Sequence, residues 1–169
     1  HVGGRAANRT TQDWLWSRPM SSVTYTVYSS PSLTATMNAP DGASALCLSC
    51  HDGSIALDNF HTYSGTTTTV ATASIVPGLP TGSPGTDFGA DHPVSITYDD
   101  TNDPGLNPKD TAVGGTVTGQ TIADILEGGT TLQCNGCHDP HNVEVPSGVD
   151  NFLRVDNAAS ALCLVCHNK

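Results

Sequence analysis

The chain has 169 residues, a net charge of −10, 17 Gly, 11 Pro and only 5% aromatic residues. A chain of this length is ordinarily one domain, so residues 1–169 read as a single loop-rich domain whose thin core needs disulfides, metals or cofactors. With Lys109 and Lys169 as its only lysines, it lacks the basic footprint of a nucleic-acid binder and the charge to dock on an acidic membrane surface. No apolar run is long enough for a transmembrane segment, and no secretory leader precedes His1, so an exported form is expected to start after a cleavage site.

In chain order, Asn8-Arg9-Thr10 is a glycosylation sequon, a pattern common by chance. Asp41 is a good N-cap ahead of Ala43-Ser44-Ala45-Leu46-Cys47-Leu48-Ser49-Cys50-His51, read as a short helix. His61 lies between Phe60 and Tyr63, and residues 64–90 are rich in Thr, Gly, Ser and Pro, as a wrapping segment would be. His92 is followed by Pro93, which holds its neighbour extended, and then by an alternating strand pattern from Val94 to Tyr98. Residues 99–120 return to irregular composition. Asp99, Asp100, Asp103 and Asp110 could supply hard oxygens to calcium, but their spacing does not match an EF-hand, so a solvated acidic loop is expected. A short helix is predicted over Thr121 to Glu127, stopped by Gly128-Gly129. Asn157, a good N-cap like Asp41, then precedes Ala159-Ser160-Ala161-Leu162-Cys163-Leu164-Val165-Cys166-His167, which repeats the first segment except at Ser49 and Val165.

All six cysteines fall in three copies of C-x-x-C-H: Cys47-Cys50-His51, Cys134-Cys137-His138 and Cys163-Cys166-His167. That spacing is the haem c attachment signature. Two thiols on one helical turn add to the two vinyl groups of a porphyrin edge, and the adjacent His reaches the iron as proximal ligand. Zinc would require pairs of such motifs, and three leave one without a partner. A redox dithiol would need a βαβ context, and disulfides within the pairs would close small strained loops. Three covalently attached haems are therefore expected.

Seven histidines are present; after the three proximal ones, His1, His61, His92 and His141 remain as candidate distal ligands. Met20 and Met37 are read as packing residues. Bis-His iron is six-coordinate and has no open position for substrate, so it suits electron transfer and not an enzyme. His141 follows His138 by three positions, and at about 3.6 Å per residue that stretch cannot wrap around a macrocycle. His141 is thus expected to serve a neighbouring haem in a stacked pair.

The expected fold is mostly irregular, with short haem-motif helices, a few short strands, and the haems as its core. Covalent attachment places the mature protein outside the cytoplasm, because thiol addition follows export.

These motifs resemble the multihaem c-type cytochromes, and most closely the OmcE-like tetrahaem extracellular cytochrome nanowire family. The resemblance runs through Trp14-Leu15-Trp16-Ser17-Arg18, a strand at Val23-Thr24-Tyr25-Thr26-Val27-Tyr28, Leu46 to Gly53, Asp91-His92-Pro93-Val94 and Cys137-His138-Asp139-Pro140-His141-Asn142. It implies a subunit of a helical homopolymer on the cell surface or outside the cell. A distal His would be supplied in trans, with His1 and His61 as candidates, and electrons would pass to other redox proteins or extracellular acceptors. Relatives carry a further C-x-x-C-H-x-P-H before the Trp segment, and His1 stands where its last His would fall. A fourth haem is expected if that motif is missing here or if His1 ligates a neighbouring chain's haem. The alternatives are a soluble periplasmic electron carrier and, further off, a multihaem redox enzyme.

Overall fold

The computed structural model describes residues 20–55, 85–114, 117–141 and 152–168, with residues 59–61, 67–69, 117 and 118 as backbone alone. His1, the sequon at Asn8 and the Trp14–Arg18 segment lie outside the described residues. Regular structure is sparse, as the Gly, Pro, Ser and Thr content requires. Helix α1 (Gly42–His51) has ten residues, while α2 (Ile122–Ile125), α3 (Cys134–Cys137) and α4 (Ala161–Cys166) have four to six. Among the described residues, three two-stranded antiparallel sheets pair β1 (Asn59–His61) with β2 (Thr67–Thr69), β3 (Ile96–Thr97) with β6 (Thr131–Leu132), and β4 (Ala112–Gly114) with β5 (Val117–Thr121). The fold is thus the mostly irregular one expected, with short helices at the C-x-x-C-H motifs. No helix among the described residues is long and apolar enough to cross a membrane.

The chain forms two compact units, one of residues 1–26 and 45–91, the other of residues 27–44 and 92–169. The second has a small apolar core of Tyr98, Val113, Ile122, Ile125, Leu126, Leu132, Val155 and Val165. Ile122 is completely buried; side chains of this kind contribute about 1.5–3 kcal/mol each. Helix α2 starts at a capping box, in which the Asp124 carboxylate accepts hydrogen bonds from the Thr121 N–H (2.8 Å) and hydroxyl (2.7 Å). These bonds hold the Asp124 carboxyl below its ordinary value. The expected helix over 121–127 exists but stops at Ile125. Gly128 and Gly129 then turn the chain with positive φ (60° and 72°), a conformation that costs glycine little.

Two elements differ from expectation. Residues 23–28 do not form a strand: Thr26 alone makes an isolated parallel bridge, to Asp87, through Thr26 N–H to Thr86 O and Phe88 N–H to Thr26 O. A strand needs a hydrogen-bonded neighbour along its length, and here the pairing ends after one residue. Residues 99–120, expected to be irregular, contain most of the β4–β5 hairpin. The strand after His92 is shorter than its alternation suggested. Ser95, at φ 57°, interrupts it before Ile96.

The acidic loop at 99–110 is organised by its own carboxylates. Asp99 accepts from the Asn102 amide, Asp103 from Gly105 N–H, and Asp100 pairs with Lys109 at 3.0 Å. The bonds from Asn102 and Lys109 hold the Asp99 and Asp100 carboxyls below their ordinary values. In the first unit, Leu48 and Phe88 are buried, and Phe88 meets the Tyr25 ring edge-on at 5.8 Å.

Candidate haem sites

The second and third motifs are built alike. In each, the two cysteines lie on one short helix, α3 or α4, and the His is the residue that ends it. His138 N–H donates to Cys134 O at 3.0 Å and His167 N–H to Cys163 O at 2.9 Å. Both histidines then turn extended, at φ −108°, ψ 135° and φ −102°, ψ 130°. Each is held by an isolated antiparallel bridge, His138 to Leu153 and His167 to Leu106. The flanking bonds repeat as well. Asp139 N–H to Phe152 O (2.7 Å) and Arg154 N–H to Cys137 O (2.9 Å) bracket the first bridge. Asn168 N–H to Gly105 O (2.9 Å) and Asn107 N–H to Cys166 O (2.8 Å) bracket the second.

Side chains from distant loops complete these anchors. The Asn107 amide donates to Leu164 O and Val165 O at 3.0 and 2.9 Å. The Tyr98 hydroxyl lies 2.7 Å from Asn107 O and 3.0 Å from Cys166 O. The last carbonyls of α4, which have no partner within the helix, are satisfied in this way. At the second motif, Arg154 donates from Nε to Asn135 O (2.8 Å) and pairs with Asp139 at 3.3 Å. The N–H of Cys134 donates to Ser44 Oγ at 2.9 Å. Gly136, between the cysteines, allows close packing: a Cβ there would meet Leu132 Cδ1 at 2.6 Å and Ile125 O at 3.3 Å. Sequence reasoning missed Tyr98, Asn107, Arg154 and Ser44 as anchors, since single polar residues carry no spacing signal.

The first motif differs. Cys47, Cys50 and His51 all lie inside α1, and Asp52 N–H still donates to Leu48 O at 3.0 Å. Asp52, next to His51, is buried and accepts from the Tyr25 hydroxyl at 2.6 Å and from Ser54. Burial alone would raise the Asp52 carboxyl, but bonds from Ser21, Tyr25 and Ser54 hold it below its ordinary value. Burial, and then the bond to Asp52, push the Tyr25 hydroxyl up to about 12.

No disulfide joins the six cysteines. Burial pushes the Cys137 thiol up to about 11, and the nearby Cys166, Cys134 and Cys163 add to the effect. Among the described residues no group of three or more His, Cys, Asp and Glu is placed to hold a metal ion on its own.

Of the candidate distal ligands, His92 lies with its ring centre 6.2 Å from that of His167, at an interplanar angle of 63°. Its Nδ1 is 3.0 Å from Pro93 O. His141 is exposed, and its N–H donates to Asp139 Oδ1 at 3.0 Å. His61 pairs with Thr67 at the end of β1; its side chain, like the whole of His1, lies outside the described residues. Met20, expected to pack, is 46% exposed.

The residues fit a covalently held porphyrin. Each thiol pair spans one helical turn with a His directly after it. Leu164, between the third pair of cysteines, and Phe152, beside the His138 bridge, are exposed apolar side chains suited to packing on a macrocycle. The family model of a doubled CXXCH motif matches residues 127–169, which contain the second and third motifs. No curated protein matches the chain. The doubled motif is a feature of multihaem c-type cytochromes. It indicates covalently bound c-type haem.

Proposed function

We propose that this protein transfers electrons through three closely packed c-type haems, as the repeating subunit of an extracellular filament. The haems would be held by Cys47, Cys50 and His51, by Cys134, Cys137 and His138, and by Cys163, Cys166 and His167. The observation that carries the electron-transfer part is the pair of matching anchors, in which His138 and His167 each close a Cys-x-x-Cys helical turn and are held by a backbone bridge. Haem iron supplies reversible one-electron chemistry. The chain's part is to hold the proximal His138 and His167 rigid through backbone bridges and His51 within α1, which limits reorganisation when the charge changes. Distal histidines drawn from His92, His141, His61 and His1 would close the iron to substrate.

The filament part is supported by the sequence resemblance. One distal His, from His1 or His61, would cross to the neighbouring subunit, so that haems follow one another through the polymer, and His1 would give a fourth haem its ligand where one is present. Such a protein works on the cell surface or outside the cell, and passes electrons to other redox proteins or extracellular acceptors. Electron microscopy of the haem-loaded protein tests this. Filaments with a regular subunit repeat are expected. Discrete monomers at high concentration, from a sample with an intact N-terminus, would leave a soluble periplasmic carrier as the function. Intact mass reads the haem count separately.

A further inference from the structure

We infer that His92 is the distal ligand of the haem attached through Cys163 and Cys166, facing His167 across the iron within a single chain. The inference rests on the haem reading above and adds a ligand pairing to it.

The first observation is the separation of the two rings. An imidazole nitrogen sits about 2.0–2.1 Å from the metal it holds, and about 1 Å from its own ring centre, so two rings facing across one metal have centres about 6 Å apart. The His92 and His167 centres are 6.2 Å apart. Two rings in ordinary edge contact also fall between about 4.5 and 7 Å, so distance alone does not choose.

The hydrogen bond at His92 does. Its Nδ1 lies 3.0 Å from the Pro93 carbonyl oxygen. A carbonyl only accepts, so this hydrogen bond requires the proton on Nδ1, and in that tautomer the lone pair lies on Nε2. Metal-bound histidines are oriented in this way, by a backbone carbonyl on the nitrogen that does not bind. A ring in simple edge contact has no need of it.

Both rings are also mounted on ordered backbone. His167 is held by its bridge to Leu106 and by Asn107 and Tyr98 at the end of α4. His92 enters a segment whose Ser95 N–H donates to Leu132 O at 2.7 Å and whose next two residues pair with β6. Both rings are at least partly exposed, so core packing does not account for their approach. One consequence is that the third haem takes no ligand from a neighbouring subunit, and His141 serves neither its own motif's haem nor this one.

The test uses the haem-loaded protein and its ferric spin state, read by electron paramagnetic resonance and magnetic circular dichroism. The wild type should carry its full covalent haem count by mass; a chain with no covalent haem would end the haem reading itself. In His92→Ala the count should be unchanged, and one haem should become high-spin, bind carbon monoxide when reduced, and return to low-spin with added imidazole. If every haem stays low-spin, the pairing is wrong while the haem reading stands. The Cys163→Ala/Cys166→Ala background assigns the haem: there His92→Ala should add no high-spin signal, and an added signal would place His92 on another haem. If His92→Ala or that background does not fold, His92→Met decides. A Met ligand raises the potential, so one haem's midpoint should rise, and the haem-bearing peptide whose axial histidine resonances change should be the one containing His167. No change, or a change at another peptide, overturns the pairing.

Discussion

The sequence Ala-Ser-Ala-Leu-Cys-Leu-x-Cys-His occurs twice and folds two ways. In residues 43–51 it is helical from end to end, as part of α1. In residues 159–167 the helix begins only at Ala161. Ala159 and Ser160 are left-handed, at φ 52° and 64°, and His167 leaves the helix extended. The difference lies in what each copy touches. Ser44 is fully buried and accepts the Cys134 N–H. The α1 N-terminus is capped from far along the chain, by Glu127 Oε2 accepting from Ala43 N–H at 3.0 Å, with Gly42 at φ 47° admitting the turn. Ala159 and Ser160 are exposed and take the strained turn instead. At the other end, Asn107 and Tyr98 receive the last carbonyls of α4 and stop it, while α1 runs on into His51. Local sequence supplies helix propensity, and distant polar partners decide where the helix starts and ends.

Identical substitutions in the two copies should therefore act with opposite sign. Ser44→Gly is expected to have the largest effect. It removes the hydroxyl that accepts from the part-buried Cys134 N–H and places Gly inside a helix, together about 2 kcal/mol of destabilisation, read as a lower denaturant midpoint of the haem-loaded protein. Ser160→Gly should raise the midpoint, by about 1 kcal/mol, because a left-handed residue with a Cβ costs about 1–2 kcal/mol. Equal effects of the two changes would show that the copies share one fold in solution.

The contrast at the C-terminal ends can be sharpened with Tyr98→Phe. Losing the hydroxyl that bonds Asn107 O and Cys166 O should cost about 1 kcal/mol and perturb the spectrum of the third haem alone. An equal change at the first haem would mean that Tyr98 acts on the whole fold and does not specifically anchor His167.

The smallest expected effect concerns the capping box at α2. Asp124 is held below its ordinary value of 3.8 by the Thr121 N–H and hydroxyl. A carboxylate depressed on folding adds stability that is complete above its unfolded value and is lost as the pH falls through its folded one. The denaturant midpoint should therefore drop as the pH is lowered below about 4, and Thr121→Ala should make that drop shallower. An unchanged pH slope would show that the carboxyl is not held by this cap.

Much of the chemistry was legible in the residues. Three C-x-x-C-H motifs, a largely irregular chain, the short helix before Gly128-Gly129 and the spare histidines could all be read directly. The capping assignments at Asp41 and Asn157 were less informative. Asp41 does precede α1, but its carboxylate accepts from Gln133 Nε2 at 2.9 Å, and Glu127 takes the helix N–H. Asn157 precedes a kinked 3-10 turn and makes no side-chain cap bond. Its Oδ1 lies 3.8 Å from Cys163 Sγ. An N-cap residue names a place where a helix can begin, and any well-placed acceptor can fill the role.

By itself, the sequence determined what happens within a helical turn. Two thiols three residues apart and an adjacent imidazole are set by chain geometry, so the attachment chemistry is written in the motif. The tertiary structure decided what depends on residues far apart: Leu106 and Leu153 bridging the proximal histidines, Glu127 capping α1, and His92 lying 6.2 Å from His167. Such contacts arise only after the chain has closed long loops and satisfied its backbone groups, and no local spacing encodes them.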